Sequence, residues 1–261
     1  MVIENMQDRI ESVHNAKIKL ALSLYKKRVR DETRLFLIEG KREIERAFAS
    51  NVVIEMLFFC PDLVAKPSFP CQLVPCSKRV LQKISYKNAA DGFVAVARQR
   101  KISLKDLTLS KAPLLLVAEG VEKPGNIGAL LRIADACNVD AAIFADSVTD
   151  LYNPNVVRAS TGTLFTVPVI DVSSARAISW LKDLGIQIVA TSPRGELVYS
   201  EGSFKGSIAI VVGAEDVGLS QLWFDAADRQ VRIPAHGVAD SLNVAVSAAV
   251  LLYEACRQRH F

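Results

Sequence analysis

Between residues 114 and 233 the chain alternates short apolar runs with helical patterns, and this alternation narrows the possible folds more than any other feature of its 261 residues. The apolar runs lie at 114–117, 141–144, 167–170, 186–189, 208–212 and 231–233. Most are separated by stretches with helical spacing, such as 127–137 and 175–184, the second stopped by Gly185. A strand that is apolar on both faces must be covered on both, and helices between successive strands supply that cover. The expected class is therefore α/β, with a parallel sheet.

The first hundred residues have a different character. A helical pattern over 14–30 puts Ile18, Leu22, Tyr25 and Val29 on one face. Lys17, Lys19, Lys26, Lys27, Arg28 and Arg30 crowd the remainder, as a solvated face or as a phosphate-binding one. Strands are expected at 35–38, 52–59 and, after Asp91-Gly92, at 94–97, with a turn at Gly40 and a helix over 41–49. This makes a small α/β domain, and the polar stretch 99–111 reads as a linker.

Half of the residues are hydrophobic, which rules out global disorder. The longest apolar run, 244–253, has about half the length of a bilayer-crossing helix. Met1 to Asn5 show no basic segment leading into an apolar one, so no secretory signal is expected. Cys60, Cys71, Cys76, Cys137 and Cys256 form no C-x-x-C pair and read as reduced thiols of a cytoplasmic protein. With His14, His236 and His260 as its only histidines, the chain offers no histidine-rich metal centre. A net charge of +4 is compatible with a polyanionic partner.

Three stretches stand at the ends of expected strands, where a parallel sheet binds its ligands. After the first strand comes 119–132, in which Asn126 is typed to cap a helix whose buried stripe is Ile127, Leu130, Leu131 and Ala134. Arg132 points away from that stripe, beside Gly128, Ala129 and Ala136; on its own it reads best as a surface residue paired with Asp135. After 208–212 comes Gly213-Ala214-Glu215-Asp216-Val217-Gly218, two glycines flanking carboxylates, where backbone can pass close to a ligand. The third stretch, 233–243, leads from a proline through a polar loop into a helix that Ser241 or Asn243 can cap. That helix carries small apolar residues almost all round, as a buried element would.

Taken together, Asn126-x-Gly128-x-x-x-Arg132, Gly213-x-Glu215-x-x-Gly218-Leu219 and Ile233-Pro234…Gly237…Ser241-Leu242-Asn243-Val244 closely resemble motifs 1, 2 and 3 of the SpoU/TrmH family. Its members are S-adenosylmethionine-dependent RNA ribose 2′-O-methyltransferases. The resemblance runs from Leu114 to Tyr253, and the stretch from Tyr152 to Gly162 also looks like a family segment. The front part, with Ala16-Lys17-Ile18-Lys19 and Phe36-Leu37-Ile38-Glu39-Gly40, is similar to a substrate-binding domain with a ribosomal-protein-like fold. There Asp91-Gly92 stands where members often have Pro-Gln-Gly; in the third motif stretch Ala235 replaces a methionine common in relatives.

The resemblance implies a SPOUT architecture with a deep trefoil knot and a homodimer formed through the knotted domain. It implies a substrate-binding domain at 1–105, a linker at 106–112 and the methyltransferase domain at 113–261. The cofactor pocket would be lined by Thr191, Ser192, Gly213, Ala214, Glu215, Ile233, Ala235, Ser241 and Leu242. Arg132 would stabilise the developing alkoxide or grip a neighbouring phosphate, as a positioner before a general base. Asn126 and Asn243 would orient the ribose or the loops, Glu215 would hold Arg132 or Ser241, and Ser241 would contact cofactor or substrate. Arg158, Lys17, Lys26 and Lys27 would meet phosphates of the RNA, ribosomal in preference to transfer RNA. His236 receives no role, and no metal and no membrane enter this reading.

Competing readings are weaker on the residues. A dinucleotide-binding fold would show G-x-G-x-x-G and a P-loop enzyme Gly-Lys-Ser/Thr; the chain has neither. A non-catalytic knotted RNA-binding dimer would not need Asn126, Arg132, Glu215, Ser241 and Asn243 together. For an enzyme methylating a base nitrogen, the Ser241-Leu242-Asn243 triplet is the counter-argument.

Overall fold

The computed structural model describes residues 9–86, 92–238 and 241–259. Asp91, His260 and the first five residues, named above, lie outside the described residues, as do Ala239 and Asp240 of the stretch 233–243. Contacts divide the chain into two units, one of Met1–Arg100 with Tyr152–Phe165, the other of Lys101–Leu151 with Thr166–Phe261.

In the first unit the expected helix over 14–30 is two helices, α1 (Ala16–Ser23) and α2 (Lys27–Thr33). The Asn15 side chain caps α1 by accepting from the Lys17 N–H at 2.9 Å. The break at Leu24–Lys26 buries Leu24, and Arg30 folds back so that its guanidinium donates to the Leu24 carbonyl at 2.7 Å. Arg30 is thereby fully buried and is no part of a basic surface, unlike the exposed Lys26, Lys27 and Arg28. Then follow β1 (Leu35–Glu39), α3 (Lys41–Ala49), β2 (Ile54–Phe59), β3 (Gln72–Pro75), α4 (Lys78–Ile84) and β4 (Phe93–Arg98). The sheet order is β1-β4-β2-β3, with β3 parallel to β2 and the other pairs antiparallel.

The segment Tyr152–Phe165, read from sequence as part of the methyltransferase domain, packs within this first unit. It contains α6 (Pro154–Ala159). Tyr152 and Phe165 stack on Phe36 with ring centroids 4.6 and 6.0 Å apart. The Tyr152 hydroxyl exchanges 2.8 Å hydrogen bonds with the Arg100 main chain, and Arg46 donates to the Thr161 carbonyl at 2.6 Å. Gly162, at φ +91°, sits where any Cβ would strike the Arg46 side chain.

The second unit is a seven-stranded sheet, parallel throughout. Its elements are β5 (Leu114–Glu119), α5 (Pro124–Ala136), β6 (Ala141–Ala145), β7 (Val169–Val172), α8 (Ser174–Asp183), β8 (Gln187–Thr191), β9 (Leu197–Val198), β10 (Ile208–Val212), α9 (Gln221–Ala226), β11 (Arg229–Arg232) and α10 (Val244–Arg259); the short α7 (Thr163–Thr166) lies in the first unit but for its last residue. Strand order is β7-β6-β5-β10-β8-β11-β9. The central strands β5, β6 and β10 are buried along their whole lengths. Each Val, Leu or Ile buried this way contributes about 1.5–3 kcal/mol, so the sheet centre is the rigid part of the unit. Gly185, at φ +64°, ends α8 as its position predicts. After β11 the chain returns to pack α10 on α5 and β10, a path consistent with the expected knot.

Two helix expectations need correction. α5 starts at Pro124 with Lys123 as its N-cap, so Asn126 sits inside the first turn and is not the cap. Proline is favoured at a first helical position because it lacks the N–H that would go unpaired there. α10 is buried on one side only; Val246 and Tyr253 are about half exposed on the other. Of the two candidate caps for α10, Asn243 is the one used, its Oδ1 accepting from Ala245 N at 3.0 Å and Val246 N at 3.4 Å.

Candidate active site

The site lies at the C-terminal ends of the central strands. β10 runs into the loop Gly213–Ser220, which closes on itself: the Gly218 N–H donates to the Ala214 carbonyl at 2.9 Å. Gly213 must be glycine, because a Cβ there would run into the main chain of Gly218. Gly218 takes φ +70°, a left-handed conformation that costs glycine little.

The exit of this loop is pinned by a buried carboxylate. Glu119, at the end of β5, accepts from Ser220 N and Ser220 Oγ at 2.7 Å each and from Ser174 Oγ at 3.0 Å. Ser174 Oγ in turn accepts from the Trp223 indole at 3.0 Å. A buried charge is tolerated when its lone pairs are met in this way. Sequence reading did not single out Glu119, whose only signal is an ionisable residue closing an otherwise apolar strand.

At the tip of the loop, Glu215 meets residues from the other two motifs. Asn243 Nδ2 donates to Glu215 Oε1 and, at 3.2 Å, to Asn126 Oδ1. Lys123 Nζ lies 2.7 Å from Glu215 Oε2. The Lys123 hydrogen bond, aided by those of Asn126 and Asn243, holds the Glu215 carboxyl below its ordinary pKa, and Lys123 is raised in return. The expectation that Glu215 holds Arg132 or Ser241 is thus replaced: its partners are Lys123 and Asn243. Lys123 was not among the sequence candidates. Its place just before Pro124 fixes it at the helix cap, close enough to reach the loop.

Two cavities flank the loop. The larger, about 830 Å³, is bounded by the turn after β8, the Gly213–Gly218 loop, the end of β11 and the start of α10. All nine residues expected at a cofactor line it: Thr191 and Ser192 from the first, Gly213, Ala214 and Glu215 from the second, Ile233, Ala235, Ser241 and Leu242 from the last. The smaller, about 530 Å³, lies over β5 and β6, lined by residues that include Gly120, Lys123, Asn126, Asp146 and Val148. Residues 214–218 and Val244 form a wall common to both.

Arg132 stands apart. It is exposed on α5, lines neither cavity and has no hydrogen-bonding or ionic partner among the described residues. The surface pairing with Asp135 is not made; Asp135 accepts from Thr166 Oγ1 at 2.6 Å instead. Arg158 is in the first unit, its guanidinium 5.2 Å from the centre of the Tyr86 ring. In that unit Lys27 pairs with Asp31 at 2.8 Å, Lys26 is exposed at the start of α2, and Lys17 is half-buried in the first turn of α1. His236 is exposed. Among the described residues no group of three or more His, Cys, Asp or Glu could hold a metal ion, and no helix is long and apolar enough to cross a membrane.

Residues 113–253 match the SpoU rRNA Methylase family, with the three motifs inside the matched span. The chain belongs to that family. In the SpoU chain, residues 15–95 also match the MRM3-like substrate binding domain. A similar relative is the 23S rRNA (guanosine(2553)-2'-O)-methyltransferase RlmP of Bacillus subtilis, 30% identical, over 94% of this chain and 98% of the relative. The 23S rRNA (uridine(2479)-2'-O)-methyltransferase of Streptomyces viridochromogenes is 31% identical over 87% and 76%. Among solved structures, an RNA 2'-O ribose methyltransferase superposes with TM-score 0.85 at 42% identity, covering 96% of this chain and 99% of that one. The SpoU methyltransferase AviRb of S. viridochromogenes, solved with AdoMet, gives TM-score 0.88 at 28% identity over 94% and 98%.

Proposed function

We propose that the chain is an S-adenosylmethionine-dependent methyltransferase that methylates a ribose 2′-hydroxyl of ribosomal RNA. The observation that supports this most is the convergence of three loops on one 830 Å³ cavity, in whose wall stands Glu215, the partner of Asn243 and through it of Asn126. The cavity is within the size range of small-ligand pockets. Hydroxyls of Thr191 and Ser192, main chain of the Gly213 and Ile233 loops, and apolar Leu242 suit a molecule with both an amino-acid and a nucleoside part. When bound, S-adenosylmethionine supplies a methyl group activated by its sulfonium.

The difficulty left to the protein is the nucleophile, since a ribose hydroxyl is hardly ionised at neutral pH. Asn126 and Asn243, locked together and to Glu215, can orient that hydroxyl. Arg132 supplies the fixed positive charge that favours loss of its proton. Because Arg132 lines neither cavity of its own chain, we place it at the site of a second copy. The dimer face is then the outer side of α5 and α10, where Val246 and Tyr253 are exposed. Residues 1–105 take the role of RNA-binding domain, with Lys17, Lys26 and Lys27 on phosphates; 106–112 is the linker and 113–261 the catalytic domain, whose Arg158 also meets phosphate. The enzyme works in the cytoplasm and needs no metal.

The test is transfer of tritium from labelled S-adenosylmethionine to total RNA of cells lacking the protein. Label in a nuclease-resistant 2′-O-methylated dinucleotide from ribosomal RNA is expected. Label in a base, or in transfer RNA alone, overturns the reading.

A further inference from the structure

The reading above assigns no occupant to the smaller cavity, though Asn126 lines it, and its position gives it a task. It shares a wall with the larger one: residues 214–218 and Val244 face both. Glu215 lines both cavities, and Asn126, linked to it through Asn243, lines the smaller alone. Its other sides are the loops leaving β5 and β6, with Gly120 at φ +64° and Asp146 at φ +49°. A non-glycine residue in the left-handed region is uncommon and concentrates at functional sites. Asp146 is held there by the Ser174 N–H, which donates to its Oδ2 at 3.0 Å; its other oxygen has no partner among the described residues.

We propose that this 530 Å³ cavity receives the acceptor nucleoside, turned out of its RNA helix, so that its 2′-hydroxyl meets the donor across the Glu215 loop. This rests on the methyltransferase reading and sharpens it. A methyl transfer needs donor and acceptor in contact, and of the two cavities only this one is left for the acceptor. Its volume suits a single nucleoside and cannot admit a duplex, which sequence-specific RNA recognition commonly solves by splaying bases out of the stack. The free Asp146 oxygen is an acceptor for an N–H on the edge of the base. Atoms balance simply: the hydroxyl oxygen gains the methyl, the donor leaves as the neutral thioether, and the hydroxyl proton goes to solvent.

The test plugs the cavity from two adjoining loops. Val148 and Glu122 line the smaller cavity, not the larger, and both are exposed, so a bulky replacement fits without disturbing the core. Val148→Trp and Glu122→Trp are each assayed in the full-length protein for methyl transfer to ribosomal RNA from cells lacking the protein. S-adenosylmethionine affinity is measured beside it by calorimetry. Expected is a loss of tenfold or more in kcat/KM for RNA with the cofactor Kd within twofold of the parent. Two plugs that leave kcat/KM within twofold overturn the proposal, as does a parallel loss of cofactor binding, which would make the two cavities one site. Failure of the underlying reading looks different: the parent protein itself then neither binds S-adenosylmethionine nor labels ribose.

Discussion

At the scale of single residues, charge is the deciding quantity. Arg132 makes no polar contact among the described residues and lines neither cavity, so removing it should cost nothing in fold or cofactor binding. Arg132→Ala is expected to lower kcat by about a hundredfold or more, the scale of losing one electrostatic stabiliser, with cofactor affinity unchanged by calorimetry. Loss of both together would show a structural role. Glu215 tests the network by pH. Its folded pKa is depressed by Lys123 and by the two asparagines, so its contribution is present above the ordinary value of 4.5 and is lost as pH falls below that through the folded pKa. Cofactor affinity followed down the pH scale should therefore hold until below pH 4.5. A decline centred near neutrality would mean that another group controls the loop.

The elements show how much a single sequence discloses. Every expected strand of the second unit is present, because apolar runs with cover on both faces have few other uses; β10 at Ile208–Val212 falls where 208–212 predicts it. β3 and α4 were not foreseen: Gln72–Pro75 has too few apolar residues to read as a strand, and Lys78–Ile84 is under two full turns long. The helix over 14–30 is split because Leu24 goes into the core and Arg30 turns back to its carbonyl, a tertiary demand that periodicity does not carry. Likewise the motif residues were legible, but their partners were not: the Lys123–Glu215 pair joins positions 92 apart in the chain. The loop at Gly213 offers an element-scale test. Gly213→Ala puts a methyl against Gly218, forcing the loop open, and should weaken S-adenosylmethionine at least tenfold. Gly125→Ala, in α5 with open space around it, should leave affinity unchanged and raise stability by about 0.5–1 kcal/mol. Equal effects of the two would deny the loop its role.

For the whole molecule, the questions are how RNA is gripped and whether two copies meet as proposed. Lys26 is exposed and makes no ion pair among the described residues, whereas Lys27 is paired with Asp31. Lys26→Glu should thus weaken RNA binding and lower its salt slope by roughly one counterion, read from filter binding over a salt series; an unchanged slope would remove Lys26 from the interface. The dimer is tested at Val246, 48% exposed in the first turn of α10. An acidic residue is favourable at a helix N-terminus, so Val246→Glu should leave the fold intact while setting a charge into an apolar face. Sedimentation should then show a monomer that retains its far-ultraviolet spectrum but has lost turnover, because Arg132 no longer reaches the neighbouring site. Mixing that variant with Arg132→Ala separates the causes. If the monomer is still active, Arg132 serves its own chain, and the exposed stripe on α10 has some other cover.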